Sequence, residues 1–382
     1  MNLKRLLDLP GLLQKKSFFL FGPRATGKSF LIREQFPINV PVLNLLKSEL
    51  YLLLSSRPYE LEPIINSYEQ QGLVVIDEVQ RVPMLLHEIH RLIEERGIRF
   101  LLTGSSARKL REKNVNLLAG RAWEAQLFPL TRHEIPNFDL NRYLHFGGLP
   151  PVYLSEEPAE ELGAYVHTYL QEEIQAESLV RKIPAFSRFL QLSALTSGEI
   201  MNFSKIANDA GIPVSTIREY YQILEDTFIG FMLPAWVKTI KRKPASTAKF
   251  YFFDLGVKNT LATIKNIEPQ SDLYGQAFEH FIALELRAYL SYRRLSLPLS
   301  HWRSQQGCEV DFIVGDEFAI EVKTTNNVNE KHLKNLKSLQ EENICKKYFL
   351  ISHDRVNRKY GQIEVIYWQD FLDKLWQDTI FL

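Results

Sequence analysis

The feature that most constrains this chain is a glycine-bracketed loop near its amino terminus. Residues 17–29 read Ser-Phe-Phe-Leu-Phe-Gly-Pro-Arg-Ala-Thr-Gly-Lys-Ser, so an apolar strand over residues 18–21 enters a loop of the form G-x-x-x-x-G-K-S. Residues 30–35 then read as a helix. Strand, loop and helix in this order are the context that the phosphate-binding P-loop requires. The alternative is a plain glycine turn before a helix.

A loop of this kind binds phosphate mainly through its backbone. Its N–H groups turn inward around phosphate oxygens, which requires glycine, and the start of the next helix adds partial positive charge. Lys28 is predicted to place its charge on the β- and γ-phosphates, and Ser29 to offer its hydroxyl to Mg²⁺. We therefore predict a site for ATP and Mg²⁺ made by the loop residues Gly22, Pro23, Arg24, Ala25, Thr26, Gly27, Lys28 and Ser29.

Two later strands end in side chains suited to the same site. Residues 73–76 form a continuous apolar run, typical of a central parallel strand, and they lead into Asp77 and Glu78. Because open α/β sheets bind ligands at the carboxyl ends of their strands, Asp77 is predicted to hold Mg²⁺ through water and Glu78 to polarise the attacking water. Residues 99–102 form the next strand, after which Ser105 is predicted to touch the γ-phosphate or orient the water. The alternatives are an acidic helix start and a polar turn.

The composition indicates a globular protein of two or three domains with nearly balanced charge. The 382 residues suggest two or three domains, and a hydrophobic content of 45% with 24% charged residues is ordinary for a globular protein. Lys and Arg number 46 against 45 Asp and Glu, so any nucleic-acid contact must come from local patches. Two cysteines, a charged amino terminus and the lack of a long apolar run predict a reducing, cytoplasmic location with no signal peptide and no membrane span.

The middle of the chain predicts a helical segment and then a helix-turn-helix. Residues 141–185 contain a Gly-Gly-Leu-Pro-Pro turn and then a sequence typical of a helix. We interpret this segment as the helical lid of a nucleotide-binding domain and a linker. Residues 204–210 and 216–226 read as two short helices around a Gly-Ile-Pro turn. Strand-like runs at 228–236 and 250–253 follow, which together predict a winged helix.

A basic loop lies between those two strand-like runs. Its positive charge could neutralise several phosphates of a nucleic acid. The second helix of the pair is poor in basic residues, so non-specific backbone contact or protein docking is favoured over base reading. The equally weighted alternative is a structural winged helix that serves as a domain or oligomer contact. The predicted nucleic-acid contacts are Lys238, Lys241, Arg242, Lys243 and Lys249.

Residues 309–323 predict a hairpin that gathers charged groups. A three-residue loop at 315–317 pairs Val314 with Phe318, Phe312 with Ile320 and Val310 with Val322, which buries one apolar face. The same register places two carboxylates opposite each other on the second face.

Those two carboxylates, Asp311 and Glu321, are predicted to hold Mg²⁺, with Glu279 as a further ligand and Lys323 steadying a hydroxide nucleophile or the transition-state charge. The alternative is a solvated cross-strand charge pair. A His87/His90 pair has the wrong spacing for the zinc motif and is interpreted as a helix face.

The motifs of the first 150 residues resemble those of AAA+ ATPases, and in particular a prokaryotic group in which an AAA+ module precedes a domain long catalogued as of unknown function. The matching segments are residues 19–29, 73–83, 101–106, 120–121 and 147–150. The resemblance implies ATP hydrolysis in a homo-oligomer, with a neighbour's arginine reaching the γ-phosphate. Arg121 is the first candidate for that arginine and Arg108 the second.

The order helix, hairpin, helix, strand with D…ExK resembles the PD-(D/E)XK nuclease fold, although no proline precedes Asp311. The expected architecture is α/β: a P-loop AAA+ core with a parallel sheet (1–140), a helical lid and linker (141–185), a winged helix (186–255) and a restriction-endonuclease-like domain (256–382).

These sequence features are compatible with three functions. The first is an ATPase that couples its nucleotide state to a DNA-associated C-terminal module. The second is an ATP-gated, Mg²⁺-dependent nuclease. The third is a non-enzymatic, nucleotide-responsive DNA-binding or scaffold protein. The partner of the C-terminal modules could be DNA, RNA or protein.

Overall fold

A computed structural model describes residues 3–69, 72–106, 120–170, 183–239 and 244–381, together with 108, 118 and 241–242 between those ranges. The chain divides into two units. The first comprises residues up to 130 with Ile223–Ile229, and the second comprises Thr131–Gln222 and the chain from Gly230 onward.

A five-stranded parallel sheet forms the frame of the first unit. Its strands lie in the order β2-β3-β4-β1-β5, so β1 is flanked by β4 and β5. The three central strands are almost wholly buried, as their continuous apolar sequences predicted. The bounds are β1 Ser17–Phe21, β2 Val42–Asn44, β3 Leu73–Asp77, β4 Arg99–Gly104 and β5 Ala122–Gln126.

Helices cover this sheet because alternate strand residues point to opposite faces. Phe19 and Phe21 join a buried core with residues of α3, α4 and α5, whereas α1 contacts β1 and α2. The helices are α1 Leu9–Lys15, α2 Lys28–Gln35, α3 Ser48–Ser56, α4 Leu61–Asn66 and α5 Leu85–Arg96. Short 3₁₀ turns occupy Pro58–Glu60 and Val79–Arg81.

The second unit begins with short helices around a pair of glycines. A 3₁₀ turn at Arg132–Glu134 is followed by α6 (Leu140–Phe146), α7 (Pro150–Tyr153), α8 (Pro158–Ala164) and a π-helical segment, Tyr165–Leu170. Residues 171–182 of the predicted lid and linker (141–185) lie outside the described chain.

The two predicted helices of the helix-turn-helix are present. After α9 (Ile183–Leu195), α10 (Phe203–Ala210) ends at Gly211, whose φ of +69° reverses the chain into α11 (Val214–Asp226). Strands β6 (Gly230–Leu233) and β7 (Lys249–Phe252) then pair antiparallel. β6 is shorter than the run predicted for it at residues 228–236.

A six-stranded mixed sheet ends the chain, in the order β12-β13-β11-β10-β9-β8. The strands are β8 Leu299–Arg303, β9 Glu309–Val314, β10 Phe318–Lys323, β11 Lys347–Ser352, β12 Arg358–Tyr360 and β13 Ile363–Tyr367. The helices are α12 Leu255–Leu261, α13 Asp272–Tyr292, α14 Lys334–Gln340 and α15 Trp368–Trp376. The helix expected after the hairpin is present as α14, preceded by a 3₁₀ turn, Glu330–Leu333.

The predicted hairpin register is confirmed where the strands pair. Val314 lies opposite Phe318, and Phe312 lies opposite Ile320. Burial differs from the prediction, because Ile313 and Ala319 on the second face are also fully buried. They join a core with leucines of α14, so the hairpin is sandwiched between helices.

Candidate nucleotide-binding site

The loop after β1 has a conformation that its sequence makes possible. Gly22 has φ +152°, and a Cβ at this position would lie 2.5 Å from the Leu127 carbonyl oxygen. Gly27 has φ +94° and precedes α2, and Ala25 between them is also left-handed at φ +63°. Both loop glycines are therefore required by the backbone geometry, as predicted.

Two buried side chains, those of Thr26 and Arg5, hold the loop by hydrogen bonds to backbone carbonyls. The Thr26 hydroxyl donates to the Pro23 carbonyl at 2.9 Å, and Thr26 is fully buried. The buried guanidinium of Arg5 donates to the carbonyls of Thr26 and Phe128, each at 2.6 Å. Arg5 thus joins the loop to the segment after β5. Sequence reasoning missed it, since nothing near Arg5 in the chain signals a partner 123 residues away.

Lys28 begins α2 and folds its side chain over the loop. Its ammonium group donates to the carbonyl oxygens of Gly22 at 2.7 Å and Pro23 at 3.0 Å. The side chain is only 7% exposed. The buried ammonium is therefore held over the loop, and its contact with the β- and γ-phosphates stays a prediction.

Three oxygen-bearing side chains meet beside the loop. Ser29 Oγ donates to Asp77 Oδ2 at 3.3 Å, and the Thr103 hydroxyl donates to Asp77 Oδ1. Asp77 and Thr103 end neighbouring parallel strands, β3 and β4, which brings them to one edge of the sheet. Carboxylate and hydroxyl oxygens are the ligands that Mg²⁺ prefers, so Ser29 and Asp77 fit the predicted metal role.

Glu78 is held by a neighbour that the sequence analysis did not single out. Its backbone is left-handed at φ +63°, and its N–H donates to the Thr103 hydroxyl at 3.2 Å. The Gln80 amide donates both to the Glu78 carboxylate and to Ser105 Oγ, the latter at 3.3 Å. Gln80 therefore links the predicted catalytic carboxylate to the predicted sensor. The sequence signal that could have identified Gln80 is its position, since it is a polar residue two places after Glu78 at the acidic end of β3.

Arg121 lies away from the loop of its own chain. It immediately precedes β5, which runs parallel to β1, so it sits at the amino-terminal edge of the sheet while the loop follows the carboxyl end of β1. Its guanidinium pairs with Glu94 of α5. Between residues 107 and 119 the structure describes only Arg108 and Leu118. The Arg108 backbone N–H donates to Ser106 Oγ at 3.2 Å.

The basic loop predicted to contact nucleic acid instead pairs with acidic groups of the same unit. Lys238 lies 2.6 Å from Asp316, and Arg242 lies 2.5 Å from Glu341. The Lys241 ammonium donates to the Glu341 carbonyl oxygen. Lys238 and Arg242 are therefore ion-paired within the chain, whereas the Lys241 ammonium is hydrogen-bonded to a neutral carbonyl oxygen. Contact of this loop with nucleic acid stays a prediction.

Lys249 and Lys243 complete the predicted set of nucleic-acid contacts. The prediction is wrong for Lys249, because its side chain is only 3% exposed and is ion-paired. Lys243 lies outside the described residues.

The carboxylates predicted for a second metal site are brought together but are deeply buried. Asp311 is 6% exposed and Glu321 is 1% exposed, so the alternative of a solvated charge pair is wrong. Burial, together with the nearby charges of Glu321 and Glu279, raises the pKa of Asp311 well above its usual value. Burial also raises the pKa of Glu321, although Lys323 at 2.7 Å opposes this shift.

In the described part of the chain, no group of three or more His, Cys, Asp and Glu side chains is arranged to hold a metal ion. His87 is an exposed residue of α5 and His90 is half-buried on the same helix.

Three families match successive parts of the chain. Residues 14–136 match an AAA domain, residues 137–268 match a domain of unknown function (DUF8612), and residues 274–371 match a domain of unknown function (DUF4143). None of the helices in the described ranges has the length and apolarity needed to cross a membrane.

The curated relatives that match are described as uncharacterized proteins. A protein of Mycobacterium tuberculosis is 28% identical over 277 residues, which cover 69% of this chain and 61% of the relative. The chain thus spans about 61% of the length of this relative and of its counterpart in Mycobacterium bovis. A protein of Haemophilus influenzae is 24% identical over 391 residues and 92% of both chains.

Among solved structures, a Walker-type ATPase of Pyrococcus abyssi has a TM-score of 0.45 at 15% identity, covering 66% of this chain and 93% of its own. The Aeropyrum pernix ORC1 protein, in complex with DNA, has a TM-score of 0.23 at 14% identity, covering 65% and 86%. Both scores are too low to carry an argument about function.

The parallel sheet, the P-loop geometry and the family match agree on the class of the first unit, which is an AAA-type P-loop domain. In this chain the AAA domain is followed by the two matched domains of unknown function.

Proposed function

We propose that the first unit binds ATP together with Mg²⁺ and hydrolyses it. The observation that carries this proposal is the meeting of Ser29, Asp77 and Thr103 beside a P-loop whose two glycines are required by its backbone. A phosphate-binding loop alone explains binding. An acidic strand end hydrogen-bonded to the loop's serine adds a place for the metal ion that phosphoryl transfer needs.

Each residue then has a defined task. Backbone N–H groups of the loop and the start of α2 bind the β- and γ-phosphates, with Lys28 adding positive charge. Ser29 and Asp77 hold Mg²⁺, which neutralises charge on the phosphate oxygens when bound. Glu78 orients the attacking water, and Ser105 meets the γ-phosphate from the next strand.

The remaining modules are proposed to receive the nucleotide signal. We assign residues 141–185 as the lid and linker, 186–255 as a winged helix and 256–382 as a nuclease-like fold. The element order α9, α10, α11 and the β6–β7 pair supports the winged helix. The order α13, β8, β9, β10, α14, β11, with β10 parallel to β11, supports the nuclease-like fold.

A homo-oligomer would explain the position of Arg121. Because this residue lies at the edge of the sheet opposite its own P-loop, it can act on a nucleotide only when a second copy presents it. Association with DNA stays a prediction from the sequence, because the described cations that suggested it are paired within the chain.

The proposal predicts Mg²⁺-dependent release of phosphate from ATP by the purified chain. Steady-state turnover is expected to stop when EDTA removes the metal and to return when Mg²⁺ is restored, because Ser29 and Asp77 would hold the ion, which would supply neutralisation of phosphate charge. Fluorescent ATP analogues report binding separately. Turnover that is indifferent to EDTA, or no turnover at any protein concentration, would contradict hydrolysis.

Gln80 is predicted to position Glu78 for this reaction. Gln80→Met keeps the side-chain length but removes the amide that contacts Glu78 and Ser105. Because one hydrogen bond to a charged group is worth about 1.5–3 kcal/mol, kcat is expected to fall about 10-fold or more, with KM changing less than about twofold.

A double-mutant cycle with Glu78→Gln separates this role from a purely structural one. In the Glu78→Gln background, Gln80→Met should have little further effect on kcat. Equal losses in both backgrounds would mean that Gln80 acts independently of Glu78.

A further inference from the structure

Lys249 occupies an unusual place for a lysine. It begins β7, yet its side chain points into the unit and is only 3% exposed. Its ammonium group lies 2.7 Å from Glu309 Oε1 and 3.1 Å from Glu279 Oε1. Burial by itself lowers the pKa of Lys249, but the carboxylates of Glu279, Asp311 and Glu309 together raise it above its usual value. The group is therefore a buried, charged cation.

The carboxylates around this ammonium come from separate elements. Glu279 lies on α13, whereas Glu309 and Asp311 alternate along β9. The Tyr251 hydroxyl also donates to Glu279, at 2.6 Å, so two groups of β7 bind the same carboxylate oxygen. An acidic cluster that sequence alone suggested for Mg²⁺ is thus already supplied with a cation by a neighbouring strand.

The other carboxylates of the cluster are also engaged by protein donors. Asp311 Oδ2 accepts the N–H of Val322 at 2.7 Å. Glu321 Oε1 accepts from Lys323 at 2.7 Å and from Asn335 at 3.1 Å. A hard divalent cation needs about six oxygen ligands in close geometry. The oxygens named above face ammonium and amide donors instead, and Glu321 Oε2 is the one oxygen of Glu321 that is buried with no donor among the described residues.

We infer that the Lys249 ammonium is the resident cation of this acidic cluster, which ties β7 to α13 and β9 instead of holding a divalent metal for nucleic-acid cleavage. A divalent ion entering among Glu279, Glu309 and Asp311 meets the positive charge of Lys249, whose ammonium group is already held by Glu309 at 2.7 Å and Glu279 at 3.1 Å. Access is not the obstacle, since a cavity of about 400 Å³ lined by Lys249, Glu279 and Glu309 adjoins the cluster.

The test measures Mn²⁺ binding by the nucleotide-free full chain, with Asp77→Asn as background to silence the P-loop metal position. Electron paramagnetic resonance of free Mn²⁺ gives the number of sites. With Lys249 present, no binding that depends on Asp311 is expected at millimolar Mn²⁺. Lys249→Met, which removes the charge at similar length, is expected to gain one site, and adding Asp311→Asn should abolish it.

Two results would overturn the inference. One is Mn²⁺ binding by the Lys249-containing chain that Asp311→Asn removes. The other is a Lys249→Met chain that folds and gains no site. Circular dichroism establishes whether that variant folds.

If Lys249→Met does not fold, thermal unfolding of the wild-type chain decides the matter. Asp311→Asn serves as the comparison, and each protein is measured with and without about 5 mM Mn²⁺, a concentration high enough to fill a weak cation site. An equal Mn²⁺-induced change of midpoint in the two proteins, including no change in either, supports the inference. Stabilisation of the wild type that Asp311→Asn abolishes, or Asp311-dependent cleavage of plasmid DNA, overturns it. ATP turnover is a separate readout, so failure here leaves the proposed hydrolysis untouched.

Discussion

Replacing Lys28 by alanine is expected to lower ATP turnover by at least about 100-fold and to weaken ATP binding. The ammonium group is held over the loop by two carbonyl oxygens, at 2.7 and 3.0 Å, so it is already positioned where phosphates bind. Removing one preorganised charge or donor from a phosphoryl-transfer site typically costs about 10²–10³ in rate. Phosphate release and binding of a fluorescent ATP analogue measure the two effects.

Glu78→Gln is the matched comparison, because it changes the same site without removing positive charge. The variant is expected to bind ATP about as well as the wild type while losing turnover by about 10²–10⁴, the range for a lost general base. Lys28→Ala should lose both properties. This contrast separates phosphate binding from activation of the water.

Lys15→Ala provides the control for loss of a lysine as such, since Lys15 is exposed in the last turn of α1, outside the site. Its turnover should match the wild type. Wild-type turnover in Lys28→Ala, with Lys15→Ala equally active, would reject the assignment of the P-loop as the hydrolytic site.

The nucleotide site could be predicted because its information is local. A P-loop needs glycines, a lysine and a serine within eight residues, and the acidic strand end follows a continuous apolar run. Parallel strands bring their carboxyl ends together, so Asp77 and Ser105 could be placed near the loop without knowing any distance. The contact between Ser29 and Asp77 agrees with that reasoning.

The basic loop could not be interpreted from the sequence because its partners are distant in the chain. Lysines separated by small residues look alike whether they face solvent or carboxylates. Lys249 pairs with Glu309, 60 positions later, and burial of this lysine depends on how β7 packs against α13 and β9. Arg5 is similar, since its two acceptors lie 21 and 123 residues away. Isolated charges carry no sequence pattern, whereas glycine turns and apolar strands do.

The Gly-Gly-Leu-Pro segment, which the sequence analysis noted as a turn and as part of the family resemblance, is explained by packing. Gly147 ends α6 with φ +72° and ψ −166°, a region that essentially only glycine occupies. A Cβ there would lie 2.1 Å from Asp254 Oδ1. Asp254 is fully buried at the start of α12, where it accepts the N–H of Gly148 at 2.7 Å and of Val257 at 3.0 Å. The two glycines therefore let the backbone close onto a buried carboxylate.

The Asp254 carboxylate cannot move away from an added methyl group without losing its hydrogen bonds. Burial raises the pKa of Asp254 to about 6, and the surrounding backbone N–H groups oppose that shift by binding the charged form. Moving the carboxylate would leave those buried donors without an acceptor and would remove the cap of α12. The added atom therefore confronts a side chain that is fixed on all sides.

Gly147→Ala is accordingly expected to destabilise the second unit by about 3 kcal/mol or more, the sum of backbone strain and overpacking. Tryptophan fluorescence during urea unfolding reports on this unit, because Trp236, Trp302, Trp368 and Trp376 lie in it and only Trp123 lies in the first.

Gly211→Ala is the matched control, since Gly211 has a similar φ of +69° but no atom within 4 Å of an added Cβ. It should cost only about 1–2 kcal/mol, the backbone term alone. Equal losses in the two variants would show that the contact with Asp254 contributes nothing. A much larger loss for Gly147→Ala would assign this glycine pair to the packing of α6 against the start of α12 and not to the nucleotide site.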